Sequence, residues 1–245
     1  MPLSVFYPDQ LKSLEAKYAP DQKRQPFRIS IETEFPVYHT EPLTLDGLLA
    51  WCAVWEAFEG RPPGYQHDPW LIHLPLRKLA EHNGFPLWAS TDFKAINPHY
   101  DCTNYHRRSG DNPYAWAALK HSSNSRRPRR IPATGNGQYM DYRIPEQLEI
   151  AERWDADGHG DIQEISRLLK LVQHIGRGAA RGRGRIRKIE IREIEKFSVV
   201  NHDGSLRKNV PITVTLGEEH NKDRIQLAGW TPAYWQQKLW EYCYL

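Results

Sequence analysis

DIQEISRLLKLVQHIGRGAARGRGRIRKIEI, residues 161–191, is the stretch on which the fold turns. Its first half places Ile162, Ile165, Leu168, Leu169, Val172 and Ile175 within a stripe of roughly 140° at helical spacing. Asp161 can cap the start, with Glu164 three residues on, and Gly176 can close the end. These signals predict a helix over 161–175. Beyond the glycines, the isoleucines at 186, 189, 191 and 194 scatter around a helix axis, whereas Ile189 and Ile191 alternate as strand residues do. The stretch reads as helix, basic Gly-rich turn, strand.

Working outward, PFRISIETEF (26–35) alternates, with Phe27, Ile29, Ile31, Thr33 and Phe35 on one face, and predicts a half-buried strand. TLDGLLAWCAVWEAFEG (44–60) predicts a helix burying Leu45, Leu48, Leu49, Cys52 and Trp55, stopped by Gly60 and Pro62-Pro63. GFPLWASTDF (84–93) reads as a second strand and GQYMDYRIPEQLEI (137–150) as a third, interrupted at Pro145. The resulting order, β-α-β-β-α-β, is that of an α+β, ferredoxin-like or RRM-like core. It implies an N-terminal extension (1–25), a core over 26–195 with a long insertion at about 94–137, and a C-terminal segment (196–245). GWTPAYWQQKLWEYCYL (229–245) predicts a short aromatic helix that covers the core or meets a partner.

Composition excludes several classes. Forty per cent apolar residues with nine Trp and twelve Tyr is a globular composition, and a net charge of +3 leaves any preference for polyanions to local clustering of arginine. Cys52, Cys102 and Cys243 are far apart and odd in number, which suits a reducing cytoplasm and gives no disulfide framework or zinc pattern. MPLSVFYPDQLKSLEAKY carries charges throughout, against a signal peptide or membrane span.

The basic charge gathers at two places. Residues 174–194 hold seven cationic side chains and four glycines. The turn follows a helix and lacks a Gly-Lys-Ser/Thr ending, so it is no P-loop. What remains is a flexible backbone bearing Arg177, Arg181, Arg183 and Arg185 on Gly178, Gly182 and Gly184, suited to bidentate phosphate contact. The insertion interleaves Arg107, Arg108, Arg126, Arg127, Arg129 and Arg130 with Tyr100, Tyr105, Tyr114 and Trp116, a pattern that suits single-stranded nucleic acid. WDADGHGDIQEIS sets Asp155, Asp157, Gly160 and Ile162 at calcium-loop positions, but His159 and Ser166 stand where ligands are needed. It reads as a plain turn before the helix cap, with no metal and no cofactor implied. Tyr105 and His106 beside arginines could serve general-base cleavage of RNA, but no second group accompanies them, so no catalytic residue is assigned.

Four stretches together resemble the CRISPR-associated RAMP proteins, specifically the Cas-five-like subunit of type IV effector complexes. EPLTLDGLLAW (41–51) is similar to the start of that family's first helix. ATGNGQYMDYRIP (133–145) resembles its Gly-Asn-Gly strand, HIGRGAARGRGRIRKIEI (174–191) its Gly-rich loop, and DGSLRKNVPI (203–212) its closing segment. The resemblance implies a RAMP core whose insertion is a thumb-like arm, and a protein that grips the 5′ handle of the guide RNA (crRNA). It implies a subunit that abuts the first backbone subunit and meets the large subunit near the PAM, where target DNA is first read. Related RAMP subunits cut their own repeat RNA, so a crRNA-processing endoribonuclease is the alternative. A free-standing RRM-like binder is a third; it should lack the contact surfaces suggested by Trp230, Trp235, Trp240, Tyr242 and Tyr244.

Overall fold

The alternation at 26–35 lasts as long as neighbouring strands flank it. β1 (Gln25–Thr33) buries Phe27, Ile29 and Ile31 completely, while Phe35, two residues past its end, is exposed. A computed structural model describes residues 7–18, 23–63, 68–107, 142–234 and 236–245; the side chains of 105–107 and 142–144 fall outside that description. The elements that follow β1, after α1 (Asp9–Lys17), are β2 (Val37–Tyr38), α2 (Leu45–Ala57), β3 (Lys78–His82), β4 (Phe85–Trp88) and β5 (Lys94–Ile96). Then come β6 (His99–Arg107), β7 (Tyr142–Ile150), β8 (Arg153–Gly160), α3 (Ile162–Leu169), β9 (Ile186–Glu193), β10 (Val210–Pro211), β11 (Ile225–Gly229) and β12 (Trp240–Tyr244). The fold is α+β, its sheets mostly antiparallel. The chain divides into two compact units, 1–99 with 150–245, and 100–149.

In the larger unit, a four-stranded sheet runs in the order β5-β8-β1-β9, each pair antiparallel. Its inner face, with Phe27, Ile29, Ile31, Trp154 and Ala156, joins Leu45, Leu49 and Cys52 of α2 and Ile165, Leu168 and Leu169 of α3 in one core. α1 adds Leu11 and Leu14 to that core, so residues 9–17 of the expected extension are part of it. The helices are tied at their surface by Arg167, which donates to both Glu56 and Glu164, and by Lys17, 3.0 Å from each. β10, β12 and β11 form a second sheet, and β3 pairs with β4. Phe85 and Leu87 of β4 share a second core with Val210, Trp230, Leu239 and Cys243. In the smaller unit, β6 and β7 lie side by side.

Several expectations are corrected. Residues 85–88 form a strand, but it belongs to the β3–β4 pair; the edge of the four-stranded sheet is β5, three residues too short to show a period. The third strand of that sheet is β8, read from sequence as a turn. Its Asp and Gly content hid a strand buried on both faces, in which Trp154, Ala156 and Gly158 face the core while Asp155 and Asp157, also buried, carry ion pairs on the opposite face. Glycine is needed at 158, since a Cβ there would lie 2.5 Å from the Phe27 ring. The Asp161 cap is as expected, accepting from Gln163 and Glu164 N–H, but α3 ends at Leu169 because residues 173–175 leave it to pair with 184–186. Within the expected loop at 94–137, residues 94–96 and 99–107 are strand, and 108–137 lie outside the described residues. The aromatic tail forms no α-helix among its described residues: after a single 3-10 turn (Gln237–Leu239) it runs as β12, in which Tyr242 is exposed and the next residue, Cys243, is buried. Trp55, expected in the core, is exposed.

Candidate nucleic-acid interface

The Gly-rich turn is a built loop, not a slack one. Ile175 N–H donates to the Gly184 carbonyl and Ile186 N–H to that of Gln173, both at 2.9 Å, closing its base. The strands come so near that a Cβ at Gly184 would lie 2.0 Å from the Ile175 oxygen, and its φ of +58° is left-handed. At the tip, a 3-10 turn (Ala179–Arg181) sits between Gly178 and Gly182. Arg181 N–H and Arg183 N–H both donate to the Gly178 carbonyl.

The loop is fastened along its length to the segment between β1 and α2. Glu34 N–H donates to Arg185 O at 2.8 Å, Gly184 N–H to Pro36 O at 2.9 Å, and Arg177 N–H to Tyr38 O at 2.6 Å. Two side-chain pairs follow the same seam: Arg177 Nη2 to Glu41 Oε1 at 3.4 Å and Arg185 Nε to Glu34 Oε2 at 3.3 Å. All four groups are solvent-exposed, and such pairs contribute about 0–1 kcal/mol. They orient the arginines without committing them. Arg181 and Arg183 lie together across Gly178, where an added Cβ would be 3.1 Å from Arg181 Nη2 and from Arg183 Cγ. Backbone fixed at both ends therefore presents Arg177, Arg181 and Arg185 exposed and Arg183 half-buried.

β9 continues the basic run with Arg187, Lys188 and Arg192 exposed. On the sheet's outer face Lys188 and Arg192 meet a polar hollow of about 400 Å³ that also includes Ser30, Glu32, Arg153 and Glu190. Charges there are largely matched: Lys188 pairs with Glu190 at 2.5 Å and Arg153 with Asp155 at 3.1 Å. Asp157 accepts two bonds from Arg28, at 2.6 and 2.9 Å, and one from Arg207 at 2.7 Å. Burial alone would push its carboxyl up; those arginines outweigh it and hold Asp157 below the usual range. Asp155 and Asp157 thus anchor the sheet through arginine partners, and among the described residues no group of His, Cys, Asp and Glu could hold a metal.

Two of the four sequence stretches meet in a buried ion pair. Lys208 Nζ, 2% exposed, lies 2.8 Å from Asp46 Oδ2, 1% exposed, and also reaches Trp88 O and Ser90 Oγ at 3.2 and 3.3 Å. Asp46 Oδ1 accepts from Tyr234 Oη at 2.8 Å and from Gly47 N–H at 3.0 Å. Nearby, burial pushes the Asp92 carboxyl up to about 7; Lys208 opposes the shift and Asp46 adds to it. This cluster fixes the start of α2, just beyond the segment that fastens the loop.

Of the residues singled out in sequence, Arg177, Gly178, Arg181, Gly182, Arg183, Gly184 and Arg185 come together in this loop. Arg107, Tyr105 and His106 lie on β6 with side chains outside the description, and Arg108, Arg126, Arg127, Arg129 and Arg130 lie outside the described residues altogether. Trp230 is buried, Tyr242 is exposed, and Trp235 falls outside the described residues. Glu34 and Glu41 were missed. Their only signal was position, acidic residues flanking the chain between the first strand and first helix.

A fastened, arginine-rich loop on an α+β core with mostly antiparallel sheets is the class of protein the fold and site define, and comparison narrows it. The chain belongs to the Csf3 family, CRISPR type IV associated proteins, whose pattern matches residues 25–244. Csf3 is a Cas-five-like RAMP subunit of type IV complexes. The match extends past residue 212 into the C-terminal strands. No curated protein matches the chain. No helix among the described residues is long and apolar enough to cross a membrane.

Proposed function

We propose that this protein is the guide-RNA-binding and capping subunit of a CRISPR ribonucleoprotein effector, that it grips the crRNA 5′ handle, and that it is not an enzyme. The observation that carries the reading is the fastened Gly-rich loop: four arginines held on a backbone tied at both ends, two of them, Arg177 and Arg185, paired with exposed glutamates of the 34–41 seam. A handle clamp needs sugar–phosphate contact and shape readout more than base reading, and rigid presentation lowers the ordering cost of binding. The order β5-β8-β1-β9 fits a ferredoxin-like RAMP core in which β1, β5, β8 and β9 are the four strands and α2 and α3 the crossovers. Membership in a type IV family supports the partners proposed: the neighbouring backbone subunit, the large subunit and target DNA near the PAM. The insertion, with Arg107, Arg108, Arg126, Arg127, Arg129 and Arg130, is proposed to close over the guide as a thumb.

The test exchanges Arg181, Arg183 and Arg185 together for Glu, with circular dichroism and RNA co-purification read side by side. Lost guide RNA with a native spectrum is the expected result; retained RNA with a native spectrum places the clamp elsewhere. Purified protein incubated with repeat RNA should leave it intact. Cleavage that disappears in His106→Ala would replace this reading with the endoribonuclease.

A further inference from the structure

We propose that the recess beside Trp51 and Trp55 of α2 is a docking groove for an extended, proline-bearing segment of a partner polypeptide. The two tryptophans sit on successive turns of the helix, 47% and 38% exposed, with ring centroids 5.4 Å apart and planes inclined by 19°. Paired indoles left in water are a costly surface for a soluble chain, and such patches mark interaction sites. Beside them opens an apolar recess of about 200 Å³, with Trp70, Pro63, Pro232 and Tyr234 among its other walls.

Three observations choose the occupant. None of the residues lining the recess carries a charge. A nucleic-acid strand would bring a phosphate with every nucleotide and find no cation there, whereas the arginines gather on the Gly-rich loop. A second copy of the chain is disfavoured by area: two half-exposed indoles fall far short of the roughly 800 Å² per partner that a stable pair buries. The volume admits one or two side chains, too few for the face of a helix. An extended proline-bearing segment meets all three limits, because it is uncharged, narrow and already ordered before binding, and aromatic-lined grooves take its rings. The indole N–H groups suit the peptide carbonyls such a segment leaves unpaired.

The groove is preformed. Gly60 N–H donates to the Trp55 carbonyl at 2.8 Å, folding the end of α2 back so that Gly60 packs on the Trp55 ring, where a Cβ would stand 3.4 Å from Cζ2. The reading of the basic loop is independent of this groove, and either can fail alone.

The experiment titrates the full chain with a decaproline peptide, and in parallel with oligouridine, following intrinsic tryptophan fluorescence. Decaproline should give a saturable shift, weakened at least about tenfold in both Trp51→Ala and Trp55→Ala, as expected for truncating an interface tryptophan. Circular dichroism controls for folding, and Trp51→Lys, a change at the more exposed position that keeps helix propensity, provides a second variant. No shift with decaproline, or an equal shift in the variants, overturns the proposal. So does a shift with oligouridine that these variants abolish, which would make the pair a base-stacking platform. Concentration-dependent dimers lost in the variants would assign the face to a second copy and overturn it too.

Discussion

Replacing Lys208 by Met should destabilise the protein more than any surface change in the basic loop. The ammonium has three donors and three acceptors, Asp46 Oδ2, Trp88 O and Ser90 Oγ, and the pair is 1–2% exposed. Without it, Asp46 keeps the Tyr234 hydroxyl and the Gly47 N–H but loses its counter-ion in a site that water barely enters. Breaking a buried pair from one side costs about 3–5 kcal/mol. For a chain of this size that corresponds to a fall in Tm on the order of 10 °C. Urea unfolding followed by circular dichroism measures it directly. Adding Asp46→Asn removes the stranded charge and keeps an acceptor for Tyr234, so the double variant should recover most of the loss. A Lys208→Met protein within about 1 kcal/mol of the parent would refute the reasoning, as would a double variant no more stable than the single.

Glu34→Gln with Glu41→Gln should raise affinity for handle RNA by about 1.4- to fivefold per site, because each pair competes with phosphate at a cost of about 0.2–1 kcal/mol; anisotropy at fixed salt reads it, and unchanged or weaker binding contradicts the seam. Gly184→Ala should cost about 2 kcal/mol or more, since it combines a left-handed φ with a 2.0 Å approach to Ile175 O, whereas Gly182→Ala meets nothing within 4 Å and should cost less. The Asp92 carboxyl, pushed up to about 7 from 3.8, binds a proton in the folded state that the unfolded chain has released between those values. Stability should therefore fall as pH rises from about 4 to 7, by at most roughly 1.4 kcal/mol per unit, and then level off. Asp92→Asn should flatten that profile in urea titrations across the range; an unchanged slope assigns it to another group.

Legibility in the sequence followed how much of each element's character is local. β1 and the Asp161 cap were readable because alternation and a capping carboxylate need only near neighbours. β8 was not, since WDADGHG is polar and glycine-rich for tertiary reasons: Phe27 forbids a side chain at 158, and the aspartates answer Arg28, Arg153 and Arg207. α3 stopped early because backbone pairing with 184–186, set by Gly184, outcompeted a helical stripe that continued to Ile175. Trp55 kept helical spacing yet faces water, for the core beneath α2 is filled by Leu45, Leu49, Cys52 and Ala53. The arginines of the loop were legible as composition. The glutamates that position two of them were not, since Glu34 and Glu41 lie more than a hundred residues away in sequence and meet the loop only in the folded chain.

The central claim is that the fastened loop grips RNA through its phosphates. Its most direct test is affinity for single-stranded handle RNA measured over a range of salt. Each neutralised phosphate of a single strand contributes about −0.7 to the slope of log affinity against log salt, so engagement of Arg177, Arg181, Arg183 and Arg185 predicts a slope of about −3, falling toward −1 when Arg181, Arg183 and Arg185 are exchanged for Glu. An affinity independent of salt, or a slope the exchange leaves unaltered, would contradict it.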